Sequence, residues 1–251
     1  MNYHIITIFP DMFTSYFAES IISSAIKNKI ISVNTYTLRD YTTDKHRRVD
    51  GKPFAGGPGM VMWVDPIVNC VEKIKSNIEK RDIKNKNKDT KKLEKSKILF
   101  VHFVPSAEKF TTSIAKDISK KYTDIIFICG RYEGVDSRVN EIYKGLEISI
   151  GDYILTGGEL PAMVMIDSIS RQIEGVLNKI ESLEENRVST HKIYARPEVY
   201  EYKTKTLNKK ESEEKNKKVY KIKVKNYTVP KVLLSGNHKE IEKWKLEQNM
   251  L

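Results

Sequence analysis

Residues 124–136 read Asp124-Ile125-Ile126-Phe127-Ile128-Cys129-Gly130-Arg131-Tyr132-Glu133-Gly134-Val135-Asp136, an apolar run of strand length that stops in a glycine-bearing loop. An uninterrupted apolar run, without polar alternation, suits a strand covered on both faces, the usual setting of a parallel sheet. Residues 98–104 (ILFVHFV) repeat the pattern, and so do residues 3–9 (YHIITIF), closed by Pro10. Residues 31–37 and 146–150 supply two further strand candidates. Helix-like stretches fall between them, over 12–26, from about 65 to 75, from near Ser106, and from about 159 to 173. Apolar strands alternating with helices predict an α/β fold, a parallel sheet with helices on both faces, over roughly residues 1–175. After Gly175 the pattern changes. Residues 177–195 are polar without a clear period and read as a linker. A hairpin with residues 219–224 as one strand and an amphipathic helix over 238–248 complete the chain. The expected organisation is thus a domain over 1–176, a linker over 177–195 and a small C-terminal domain over 196–251.

Three glycine-bearing loops concentrate the chemistry. Residues 39–60 (RDYTTDKHRRVDGKPFAGGPGM) hold five cationic side chains and His46, among them Arg39, Lys45, Arg47 and Arg48. The second loop is residues 130–136, directly after the buried strand. The third is residues 150–161 (IGDYILTGGELP), running from a strand into a helix. Loops at the carboxyl ends of parallel strands are the usual ligand site of an open α/β sheet, and glycine lets backbone groups approach a ligand closely. No Gly-Lys-Ser/Thr ending and no G-x-G-x-x-G after the first strand is present, which argues against a phosphate cradle. A nucleoside ligand without phosphates fits better. The five histidines show no metal-ligand spacing, so no structural metal is expected.

Composition narrows the function classes. The 251 residues include eight Phe, 13 Tyr and two Trp, with a hydrophobic fraction of 39%, which excludes general disorder. No stretch approaches the roughly 18 apolar residues of a membrane span. No basic segment precedes the first apolar run, so no secretory signal is expected and a cytoplasmic location is. Cys70 and Cys129 form neither a disulfide framework nor a zinc motif and read as reduced, buried thiols. The formal net charge of +11 points to a polyanion, nucleic acid before membrane. Residues 79–98 and 201–228 carry balances of +5 and +6, so the other 203 residues are neutral. Charge runs of this kind are usually solvated loops or faces, and codon bias also produces them, so charge alone does not establish RNA binding.

The chain resembles the TrmD family of bacterial tRNA (guanine-N1)-methyltransferases, members of the SPOUT class with a trefoil knot. Residues 5–13 (IITIFPDMF), 39–60, 130–136, 149–161, 166–171 (IDSISR) and 229–238 (VPKVLLSGNH) carry the resemblance in the family's order. It implies a C-terminal trefoil knot in the sheet domain and S-adenosylmethionine as methyl donor. The implied cofactor residues are Pro105, Gly130, Glu133, Ile150, Gly151, Asp152, Tyr153, Ile154, Leu155, Gly157 and Gly158. The implied reaction is methyl transfer to N1 of guanosine 37, beside the tRNA anticodon, in a homodimer whose active site lies between subunits. Arg39, Lys45, His46, Arg47, Arg48 and Arg196 are the expected RNA contacts. Guanine N1 carries a proton at neutral pH, so a general base must remove it, while charge builds on O6. Arg171 matches the family arginine that assists there.

The resemblance breaks in the linker. The family's catalytic aspartate falls on Asn186, and an amide cannot take a proton as a carboxylate does. The linker is also about four residues shorter than the family pattern. Glu185, one position earlier, is the first candidate base and Glu184 the second. Residues 190–197 keep Tyr194 and Arg196-Pro197 but lose an acid, Pro105-Ser106-Ala107 replaces a Pro-Gln-Gly turn, and the chain ends soon after Trp244, so the C-terminal domain over 196–251, which the resemblance implies to be tRNA-binding, is expected to be small and truncated. Two alternatives stand beside the leading one: a catalytically impaired RNA-binding SPOUT protein, and a SPOUT methyltransferase acting at another RNA site.

Overall fold

A computed structural model describes the chain except for residues 55, 87–94, 178–191, 208–217, 219 and 250–251. Two compact units emerge, Met1–Leu183 and Glu184–Leu251.

The first unit is built on five parallel strands: β1 (Asn2–Thr7), β2 (Ser32–Thr37), β5 (Ile98–Phe103), β6 (Asp124–Ile128) and β7 (Leu146–Ile148), in the order β2-β1-β6-β5-β7. The most apolar runs take the middle of the sheet. Every residue of β6 is buried, whereas the edge strand β2 exposes Asn34 and Thr35. Alternate side chains of the central strands feed two cores. Tyr3, Ile5, Ile125 and Phe127 enter one; Ile6, Ile126 and Ile128 enter the other. The sheet is therefore covered on both faces, as a parallel sheet with apolar strands requires. Two short strands, β3 (Asp50–Gly51) and β4 (Val61–Met62), pair with each other at the base of the first glycine loop.

Several helices depart from the sequence expectation. The single helix expected over 12–26 is broken into a 3-10 turn (Pro10–Phe13), α1 (Thr14–Phe17) and α2 (Ser20–Lys27). Ser20 sits at φ +56, a left-handed conformation that a continuous helix cannot contain. The helix expected over 65–75 is α3 (Val64–Lys86), which continues well into the first lysine-rich segment. Its buried stripe of Ile67, Val71, Ile74 and Ile78 ends at Arg81, whose guanidinium binds the buried Asp124 at 2.8 and 2.9 Å. This part of the charge run is therefore no solvated loop. The helix expected near Ser106 is α4 (Thr112–Lys121), capped by Thr111, whose side chain accepts from Ile114 N–H. Residues 104–111 instead form a loop bonded to the start of the third glycine loop. Phe110 N–H donates to Ser149 O at 2.7 Å and Ser149 N–H to Glu108 O at 2.9 Å. A short α5 (Arg138–Ile142) has no counterpart in the sequence reading.

The helix α6 (Glu159–Ser170) leaves the edge strand β7 and packs across the sheet against β1. Its inner face buries Ala162, Met165, Ile166 and Ile169 completely, at about 1.5–3 kcal/mol for each large side chain. Side-chain hydrogen bonds of 2.8 Å tie both its ends to β1, Thr7–Glu159 at one and Tyr3–Ser170 at the other. The second unit contains an antiparallel hairpin, β8 (Val199–Leu207) with β9 (Tyr220–Thr228), then α7 (Lys231–Leu234) and α8 (His238–Asn249).

Candidate active site

The carboxyl ends of the adjacent strands β6, β5 and β7 deliver three loops to one place, and these loops enclose a cavity of about 470 Å³. That volume falls in the range of small-molecule sites. From the end of β5 and the loop after it come Phe103, Val104 and Pro105; from the loop after β6, Gly130 and Glu133; from the loop after β7, Ile150, Tyr153, Ile154, Leu155, Gly157 and Gly158. Nine of the eleven expected cofactor residues thus meet in one cavity. Gly151 and Asp152 do not line it. Asp152 turns outward to an ion pair with Lys109, and Gly151 bonds to the hydroxyl of Ser149.

Glycine is sterically necessary where the third loop crosses the second. Gly158 N–H donates to Gly130 O at 2.9 Å. A Cβ on Gly158 would lie 2.8 Å from Cys129 Cα and 3.1 Å from Gly130 N, and one on Gly157 would run into the Arg131 side chain. No side chain fits between two backbones that approach so closely.

Beneath the crossing lies a polar cluster that sequence reasoning did not single out. Glu159, fully buried in the first turn of α6, accepts from Thr7 Oγ1 and from Arg131 Nε, each at 2.8 Å. Arg131 also donates to Thr156 O at 3.3 Å, and its guanidinium lies 4.8 Å from the Phe9 ring centre. A carboxylate at a helix N-terminus gains from the helix dipole, and the paired guanidinium removes the penalty of burying it alone. Nothing in the local sequence separates this glutamate from an exposed first-turn acid. Beside it, burial pushes the Cys129 thiol well above its ordinary value.

The first glycine loop joins the second at its base through Met62 N–H to Gly134 O and Glu133 N–H to Met60 O. Its arginines are engaged within the loop. Arg47 pairs with Asp40, Arg48 with Asp44 at 2.8 Å, and Arg39 donates to Arg47 O at 3.1 Å. Hydrogen bonds from the Arg48 side chain and backbone hold the Asp44 carboxyl well below the usual range. Lys45 and His46 are placed in the same loop, and Arg196 lies in the second unit.

Arg171 follows α6 directly and borders a second cavity of about 590 Å³ with Ser20, Ile21, Asp167 and Leu177. Tyr16 donates to Asp167 at 2.5 Å there. Burial, then that hydrogen bond, pushes the Tyr16 hydroxyl up to about 12. Glu184, Glu185 and Asn186 lie outside the described residues.

Comparison with known proteins decides the family. The family model described as tRNA (Guanine-1)-methyltransferase TrmD matches residues 1–251, the whole chain. The chain belongs to the TrmD family. Among TrmD relatives, the tRNA (guanine-N(1)-)-methyltransferase of Clostridioides difficile is 40% identical over 254 aligned residues, covering all of this chain and 93% of the relative. That of Ruminiclostridium cellulolyticum is 38% identical, covering all of this chain and 91% of its own length. The crystal structure of tRNA (m1G37) methyltransferase from Aquifex aeolicus aligns with a TM-score of 0.69 at 32% identity, over 99% of this chain and 89% of that one. The α/β reading with a parallel sheet therefore stands as a TrmD fold of the SPOUT class.

Proposed function

We propose that this protein is a tRNA (guanine-N1)-methyltransferase that moves a methyl group from S-adenosylmethionine to N1 of guanosine 37. The observation that carries the reading is the glycine crossing of residues 157–158 over 129–130, which forms the rim of the 470 Å³ cavity in a chain matched end to end by the TrmD family. The cavity suits that cofactor. Apolar walls from Val104, Pro105, Ile154 and Leu155, open backbone groups at the glycines, and the single carboxylate of Glu133 suit an uncharged nucleoside carrying a cationic sulfur. When bound, S-adenosylmethionine supplies an electrophilic methyl group on its sulfonium.

The chain's own residues would then orient the guanine, exclude water and manage one proton. Arg171 would steady the negative charge that develops on O6. Glu185 would accept the N1 proton, with Glu184 the second candidate. We also infer a homodimer. The helix α6 spans 12 residues, about 18 Å at 1.5 Å per residue, and separates Arg171 from the cofactor loops at its other end. Leu160 and Val164, each about half exposed, lie on α6 near the exposed Phe9, Met12 and Tyr16, and suit an interface with a second copy. Such pairing would bring one subunit's Arg171 to the other's cavity. The passage of residues 149–158 between the loops after β5 and β6 supports the trefoil knot.

The test is single-turnover methylation of tRNA transcripts carrying guanosine 36 and guanosine 37, beside transcripts with guanosine 37 replaced. Labelling confined to the former is expected; equal labelling of both would overturn the site assignment. Glu185→Gln is expected to lose activity while Asn186→Ala keeps it, and full activity in Glu185→Gln passes the role to Glu184.

A further inference from the structure

The hairpin β8–β9 is exposed along its whole length, on both faces. Its register sorts the side chains. Tyr200 pairs with Tyr227, Tyr202 with Lys225, Thr204 with Lys223 and Thr206 with Lys221. Directly opposed residues of an antiparallel pair share a face, as do alternate residues along a strand. One face therefore carries three tyrosines, three lysines and two threonines, without any acid. Two contacts confirm the sorting: the Tyr202 and Tyr227 rings meet edge-on at 6.5 Å, and Lys225 Nζ stands 4.9 Å from the Tyr227 ring centre. The opposite face holds Glu201, Lys203, Lys205, Asn226, Thr228 and one tyrosine, Tyr220, among the apolar Val199, Leu207, Ile222 and Val224.

We propose that the tyrosine–lysine face of this hairpin is an RNA-binding surface that grips the tRNA substrate. The two faces differ in the property that matters. The opposite face has an internal acid, paired with Lys203 at 3.5 Å, and a run of aliphatic side chains. The tyrosine–lysine face has a single sign of charge and flat rings, each about half exposed. Lysines supply phosphate contacts that carry no sequence information, and aromatic rings stack on bases of any identity. Lys221, Lys223 and Lys225 lie on alternate positions of one straight strand, spaced about 6.7 Å apart. They form a row that can follow a backbone. Thr204 and Thr206 beside them can donate to phosphate oxygens. The proposal rests on the reading of this protein as a tRNA methyltransferase and assigns a role to the part of its charge that no family motif contains.

The experiment measures tRNA affinity against salt for the full-length protein in three forms: wild type, Lys221→Gln/Lys223→Gln/Lys225→Gln, and the opposite-face control Lys203→Gln/Lys205→Gln. Each lost phosphate contact lowers the log–log salt slope by about 0.7–0.9. The triple variant is expected to lose roughly 2 units of slope, with weaker binding and unchanged methylation rate at saturating tRNA, while the control keeps its slope. Tyr202→Ser is expected to weaken binding with the slope intact, since stacking involves no counterion release. Equal slopes in all three forms would overturn the proposal, and so would equal losses in the triple variant and the control. Wild-type protein that binds tRNA without methylating it would refute the enzymatic reading alone, and the slope comparison would still judge the hairpin. Wild-type protein that binds no tRNA would refute both.

Discussion

Replacing Glu159 by Gln removes one charge at a fully buried point of the molecule and changes almost nothing in shape. In the native protein the Glu159 side chain is inaccessible and that of Arg131 is 15% exposed. Taking one partner from a buried pair typically costs about 3–5 kcal/mol, because the other charge is left uncompensated. Here the guanidinium keeps Thr156 O and a little solvent, and Gln can still accept from Thr7, so about 2–4 kcal/mol is expected. The fully buried Cys129, next to the crossing, is a local reporter of opening in the first unit. In a Cys70→Ala background, native-state thiol labelling of Cys129 is expected to accelerate roughly 30- to 700-fold in Glu159→Gln, the same free energy expressed as a ratio. Arg131→Met should destabilise as well, and the double variant should fall short of the sum by on the order of 1–3 kcal/mol, since the two groups share one interaction. Effects that add to within about 0.5 kcal/mol, or Cys129 labelling in Glu159→Gln at the wild-type rate, would refute the claim that this pair locks the crossing.

Gly158→Ala sets a methyl group against the backbone of Cys129 and Gly130, where neither side can yield cheaply. A loss of about 3 kcal/mol in urea unfolding and at least tenfold weaker S-adenosylmethionine binding by calorimetry are expected, and wild-type binding would disprove the steric argument. Asp124 concerns pH. Burial alone would raise its carboxyl, but hydrogen bonds from His4, Arg81 and Thr123 outweigh that and hold it below the ordinary range. The folded state therefore favours the ionised form, and the stability this contributes is present above the unfolded value of about 3.9 and lost as pH falls below it. A plot of Tm against pH should show a shallower acid limb for Asp124→Asn, whose stability near neutrality is already reduced. Asp44→Ala releases Arg48 and the backbone turn at residues 44–48. The KM for tRNA should rise several-fold while S-adenosylmethionine affinity stays constant, and a change in both would mean that the loop also shapes the cofactor cavity.

The sheet was legible in the sequence because its central strand β6 and the flanking β1 and β5 carry apolar side chains on both faces, and only a covered parallel sheet asks for that. The loops after β6 and β7 that line the cavity were legible as glycine clusters at strand ends, and their role as a cofactor site remains the proposal made above. The proposed knot entered only through resemblance, because chain crossing leaves no trace in periodicity. Two misreadings have simple causes. The break at residues 18–20 has no Gly or Pro to announce it, only Ser20 in a left-handed conformation. The extension of α3 was masked by its lysines, although the stripe 67, 71, 74, 78 and 81 continues at helical spacing, ending on an arginine in place of an apolar residue. Arg131 and Glu159 were visible as residues but not as partners, since 28 positions and a strand lie between them.

The arginines separate structure from function. In the described part of the first unit, Arg47, Arg48, Arg81, Arg131 and Arg138 each pair with a carboxylate, and Arg39 is held by a backbone carbonyl. Their planar, multiply bonded heads fix loops and helices in place, a task for which lysine is poorly suited. Arg171 shows no such side-chain partner among the described residues, although it borders a cavity and follows a helix whose other end adjoins the third glycine loop. A half-buried guanidinium with no carboxylate bonded to it among the described residues can turn toward a ligand that develops negative charge nearby, as O6 of a deprotonating guanine does. Within one chain that charge lies a helix length from the cavity proposed for the methyl donor. In the homodimer proposed above, the Arg171 of one copy would complete the cavity of the other, because within its own chain a full helix length separates the two.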